Sequence, residues 1–157
     1  MELKFLNRVK EIFEENKDNS LASALSSTWI AASMKGTELK LYQTKQTSQF
    51  ADYILLATVQ NPIQAGAMSY QMIKTLKQCG LTLRALEGNR ESDWILIDMY
   101  DLVIHLFTPA AREIYALDEL LASYKTVSIP QEYYTAASDQ NWESLADEST
   151  EDFKNYL

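Results

Sequence analysis

The sequence predicts one α/β (α+β) domain, a mixed β-sheet flanked by helices and preceded by a helical extension. Three observations carry that expectation. "DYILLATV" is an unbroken apolar run of strand length, as a central strand covered on both faces requires. "NPIQAGAMSYQMIKTLKQCG" has Asn61 and Pro62 at one end and Gly80 at the other, the punctuation of a capped helix. The apolar runs Trp94 to Ile97 and Leu102 to Phe107 are joined by "DMYD", a link that suits an antiparallel hairpin and is too short for a parallel crossover. A doubly wound fold needs repeated strand–helix alternation, and the pattern lacks it.

In chain order, residues 3 to 32 read as mostly helical. Leu6, Val9, Ile12 and Phe13 keep helical spacing, "NKDNS" interrupts, and Leu21, Leu25 and Ala32 continue the apolar tendency. "SSTW" leaves the end of this region open, and Gly36 is expected to stop it. "TELKLYQ" alternates as a half-buried strand does, with Leu39 and Leu41 inward. In the capped helix, Ala65, Met68, Met72, Leu76 and Cys79 form a stripe at i, i+3/i+4 spacing, expected to pack on the sheet. "LTLRALEG" reads as a strand closed by Gly88, and Thr108-Pro109 starts one short helix, "PAAREIYALDELL". The acidic tail from Pro130 has spaced aromatics; it either docks through Tyr133, Trp142 and Phe153 or frays. The division expected is an N-terminal helical extension (1–35), a mixed-sheet domain (36–125) and an acidic tail (126–157).

The chain of 157 residues is long enough to bury one core, and 46% apolar with 23% charged residues is globular composition. Its net charge of −8, with 22 acids against 14 bases, disfavours tracking of nucleic-acid phosphates, since Lys35, Lys40, Lys45, Lys74 and Lys77 are scattered. For work near nucleic acid the charge points to docking on something basic, such as an RNA-bound protein; solubility alone also explains it. No apolar run approaches the ~18–20 residues of a membrane span. The N-terminus lacks the pattern of a secretory or organellar leader, and a single cysteine, Cys79, fits a cytosolic protein.

Catalytic motifs are not found. There is one histidine, no G-x-S-x-G elbow, and with four glycines no phosphate-cradling loop. Asp98, Asp101 and His105 pose the open question: a magnesium or acid–base site, or a hairpin whose aspartates cap a turn. The missing phosphate loop and basic group favour the turn, and His105, between Ile104 and Leu106, reads as a packed residue. No catalytic residue, metal ligand or cofactor is assigned.

"DWILIDMYDLVIHLF" followed by "REIYALDEL" resembles the signature of the ribosomal silencing factor family, also called the Iojap family. The matching positions are Trp94, Leu96, Asp98, Asp101, Val103, His105, Phe107, Arg112, Tyr115, Leu117, Asp118 and Leu120. "FADYILLAT", Gln64, Ala67 and Glu87-Gly88 extend the similarity over roughly residues 36 to 122. Four positions depart from the family pattern. Tyr100 replaces a turn glycine, which at φ > 0 adds strain of order 1 kcal/mol or changes the turn. Ile63 replaces an arginine, Leu121 a tryptophan, and Tyr42 or Gln43 an acidic residue.

The resemblance implies a nucleotidyltransferase-like mixed fold without an evident catalytic set. It implies a homodimer in the bacterial cytoplasm that binds a large-subunit ribosomal protein, blocks subunit joining and represses translation. The expected partner-binding residues are Trp94, Tyr100, Asp101, His105, Arg112 and Tyr115, with little direct nucleic-acid contact and no membrane. Two alternatives stand beside it: a divergent magnesium-dependent nucleotidyltransferase using Asp98 and Asp101, and an interaction domain for a non-ribosomal partner.

Overall fold

The computed structural model describes residues 2–45, 51–88 and 91–135. The helical region is two helices, α1 (Glu2–Glu15) and α2 (Asn19–Ser33), broken where the sequence is interrupted. The Asp18 carboxylate ends the break by accepting from the Ser20 and Leu21 backbone N–H groups at 3.0 and 3.3 Å. Helix α1 turns Phe5, Val9 and Ile12 into the core. Helix α2 runs straight through "SSTW" and is buried on nearly every side. Ser27 and Thr28 each donate to the Ala24 carbonyl at 2.8 Å, whereas the Ser26 and Ser33 hydroxyls are buried with no hydrogen-bond partner among the described residues. Gly36 does end the helical region, but the left-handed turn is made by Lys35, with φ 64. The glycine is needed for closeness, because a Cβ at Gly36 would lie 2.9 Å from the Ala31 carbonyl oxygen.

Six strands follow: β1 (Thr37–Gln43), β2 (Tyr53–Thr58), β3 (Ala85–Glu87), β4 (Trp94–Asp98), β5 (Leu102–Phe107) and β6 (Lys125–Val127). Their order across the sheet is β3-β4-β5-β2-β1-β6. β2 and β5 are parallel, from Tyr53 opposite Leu102 to Thr58 opposite Phe107, and the other neighbours are antiparallel. The hairpin expected from "DMYD" is present, although Asp98 belongs to the strand. "LTLRALEG" contributes only three paired residues, and β6, whose "KTV" is too short to show alternation, was not foreseen.

Helix α3 (Pro62–Gln78) is capped as expected, with the Asn61 side chain accepting from the Gln64 N–H at 2.9 Å and Gly80 at φ 96. The expected single helix after Pro109 is two: α4 (Pro109–Tyr115) and α5 (Leu117–Leu120), separated by Ala116 at φ 49. A last turn, α6 (Glu132–Thr135), buries Tyr133 in the main core. Trp142 and Phe153 lie outside the described residues.

The sheet therefore has two unlike faces. One carries Leu41, Leu55, Ala57, Ile95, Ile97 and Ile104 into the main core with α1, α2 and α3. On the other, Tyr42, Leu56, Phe107, Ala111 and Leu121 form a smaller cluster under α4 and α5. β2 is thus covered on both sides, as its unbroken apolar run requires.

Candidate functional site

The smaller face is organised by the β4–β5 hairpin. Register places Trp94 opposite Phe107 and Leu96 opposite His105, so these side chains share that face. The Trp94 Nε1–H donates to His105 Nδ1 at 3.0 Å. An accepting Nδ1 leaves the imidazole proton on Nε2, the neutral tautomer. Burial favours the same form, pushing the His105 pKa down from 6.5 to about 4. The Trp94 ring lies 5.7 Å from His105, 5.8 Å from Phe107 and 4.4 Å from Tyr115, centroid to centroid.

Arg112 holds this end together. Thr108 and Pro109 start α4 and so place Arg112 one turn in, where it is 7% exposed. Its Nε and Nη2 make a bidentate pair with Asp118, both bonds 2.9 Å. Its Nη1 donates to the Glu38 carbonyl at 2.7 Å and to Thr58 Oγ1 at 2.8 Å. Two irregularities accompany this fit. The left-handed Ala116 separates α4 from α5, which carries Asp118. Glu38, at φ 49, lies within the register shift between Thr37 and Lys40 in β1. The hydrogen bonds from Arg112 hold the Asp118 carboxyl below its usual range, and burial raises the Tyr42 phenol that faces Asp118 at 3.5 Å.

Outside this clamp both apolar and acidic side chains reach the surface. Tyr115, Ile114 and Leu120 are 54%, 76% and 73% exposed on α4 and α5, and Ile54, Leu96 and Val103 on the strands are half-buried. Glu87, Asp93, Glu113 and Glu119 are exposed on the elements that bear them.

The other end of the hairpin is different. The Asp98 carboxylate accepts from the Tyr100 N–H at 2.9 Å, the turn-capping role expected of it. Tyr100 has φ 69, the strained alternative rather than a changed turn, and its ring is 51% exposed. The Arg84 guanidinium stands 5.7 Å from that ring and 3.8 Å from the Asp98 carboxylate. Asp101 is exposed, and its carbonyl accepts from the Asp52 and Tyr53 N–H groups at 2.9 and 3.1 Å.

Of the six expected partner-binding residues, Trp94, His105 and Tyr115 come together in one stack, with Arg112 5.8 Å from the Phe107 ring beneath them. Tyr100 and Asp101 stand at the opposite end. Asp98, Asp101 and His105 do not converge, and among the described residues no group of three His, Cys, Asp or Glu side chains is placed to hold a metal ion. Arg112 and His105 are turned inward, each bonded to groups within the fold. Ile114 and Leu120 are exposed and were not among the expected residues, although Leu120 is one of the positions that match the family signature. The chemistry this arrangement supports is recognition of a surface by aromatic and aliphatic contact.

The family model described as ribosomal silencing factor during starvation matches residues 17–155 of the chain. A ribosomal silencing factor of Haemophilus influenzae is 29% identical over 89 residues, covering 57% of this chain and 87% of that protein. One from Halalkalibacterium halodurans is 28% identical over 95 residues, covering 60% and 81% respectively. A crystal structure of a Chromobacterium violaceum protein superposes with a TM-score of 0.56 and 26% identity, over 69% of this chain and 95% of that one.

Proposed function

The chain belongs to the ribosomal silencing factor family, and from that premise we propose that it binds a basic protein of the large ribosomal subunit and blocks joining of the small subunit by bulk. The observation that carries this reading is the tilted Trp94–Tyr115 ring pair, with Tyr115 half in water on a segment that also exposes Ile114 and Leu120. Large aromatic and aliphatic side chains supply affinity, and exposed acidic side chains supply orientation and a fast encounter with a basic surface. No turnover is needed, because two bodies cannot occupy one interface; the protein acts as a non-enzyme. A net charge of −8 gives it little direct purchase on ribosomal RNA. The setting proposed is a bacterial cytoplasm, with the protein as a homodimer repressing translation.

The test is sedimentation of separated subunits at joining conditions with increasing protein. Saturating protein is expected to keep the subunits apart, and Tyr115→Ala to require about 30-fold more protein, the loss of one central anchor. Unchanged joining at saturation rejects the reading.

A further inference from the structure

At the tip of the β4–β5 hairpin a cavity of about 420 Å³ opens between the turn, the start of α2 and the segment after α3. Phe13 and Leu102 give it an apolar wall, Ser20 and Thr82 neutral hydrogen-bonding groups, and Tyr100 and Asp101 its outer edge. Asp101 is the one charged residue among its described lining, and its carboxylate has no ion-pair partner among the described residues. An anion is disfavoured there. The N–H groups of Ser20 and Leu21 at the start of α2 are already taken by Asp18, and Asp101 would repel it. A cation with a planar, stackable head fits instead. The Tyr100 ring already accepts a guanidinium, that of Arg84, at 5.7 Å.

We propose that this cavity receives an arginine side chain of a basic protein partner, with Asp101 as counter-charge and the Tyr100 ring as stacking surface. The partner's basic character rests on the reading above; the arginine chemistry rests on the cavity. The guanidinium is preferred to an ammonium because it stacks on an aromatic face while its fork reaches carboxylate and hydroxyl acceptors together. The site lies at the far end of the hairpin from Trp94 and Tyr115 and on the α1–α3 side of the sheet, so it is a separate, charge-selective contact.

The experiment is an amide-resolved NMR titration of the full chain with N-acetyl-arginine amide, and with N-acetyl-citrulline amide as its neutral isostere. Saturable shifts at Ser20, Thr82, Tyr100 and Leu102 are expected with the arginine probe only. Tyr100→Gly and Asp101→Asn should each weaken it about fivefold or more. Both variants retain the backbone bonds of the turn, and the first also removes a left-handed tyrosine. Equal shifts with both probes, shifts spread over other acidic surfaces, no saturable shifts, or variants that bind like the parent overturn the site. Subunit joining separates the two proposals. A chain that fails to keep subunits apart but binds arginine at the tip loses the ribosomal reading alone; one that keeps them apart without arginine binding loses the tip site alone.

Discussion

At one end of the β4–β5 hairpin, Arg112, Asp118, His105 and Trp94 satisfy one another within the fold; at the other, Tyr100 holds a left-handed backbone with half its ring in water. Similar residue types thus do opposite work a strand's length apart. Polar groups at the first end fix the positions of aromatic rings, and what meets solvent there is mostly carbon. At the tip the backbone bears the strain, the half-exposed Tyr100 ring carries the Arg84 guanidinium at 5.7 Å, and the Asp101 side chain faces water. The lesson is that polarity in a recognition face can be invested in rigidity or in contact, and burial decides which.

The sharpest way to break this contrast is Arg112→Met. It removes both bonds to Asp118 and leaves the Glu38 carbonyl and Thr58 hydroxyl without their donor. Stability in urea is expected to fall by about 3–4 kcal/mol; a loss below about 1 kcal/mol would mean that the clamp is not what holds α4 and α5.

The next effect is pH-dependent. His105 has its pKa lowered to about 4 when folded, against 6.5 in the unfolded chain. Between those values the unfolded state binds a proton that the folded state does not, so stability is full above about pH 6.5 and falls by about 3 kcal/mol as pH drops to about 4. His105→Gln should flatten that slope in urea melts across the window. The Asp118 contribution is lost only lower, as its already depressed carboxyl protonates, so the two are separable.

Trp94→Phe keeps a ring but leaves the buried His105 Nδ1 without its donor, and about 1–2 kcal/mol is expected to be lost. Tyr100→Gly should do the reverse. Relief of the φ 69 strain slightly exceeds the entropy that glycine adds to the unfolded chain, for a gain of about 0.5 kcal/mol. A loss beyond 1 kcal/mol in the same measurement would show that the ring's contact with Arg84 holds the turn.

The sequence made the architecture readable where a local signal existed. Asn61-Pro62 and Thr108-Pro109 announce helix starts, "DYILLATV" announces a doubly covered strand, and the brevity of "DMYD" settles the hairpin's direction. Ala116, Lys35 and Glu38 carry no such mark. Each is left-handed although none is the glycine or asparagine that would announce it, and Ala116 is why one helix was expected where two exist. The site residues were picked by type, and type alone does not reveal inward or outward. Trp94, His105 and Tyr115 do meet, but Arg112 is engaged by groups on β1 and β2 that no local spacing could indicate. The strain at Tyr100 was legible from the position's expected geometry; the cavity beside it, assembled from three separate segments, was not.

The parallel ladder between β2 and β5 has a consequence for how the molecule comes into being. All of α3, β3 and β4 lies between those strands in the chain, so the middle of the sheet closes only after a long excursion, whereas the hairpin can zip locally. Arg112 stitches across that same seam, joining α4 to Thr58 of β2 and Glu38 of β1. The surface around Trp94 and Tyr115 is therefore expected to be completed late in folding, so that a partly collapsed copy would not present the proposed contact whole.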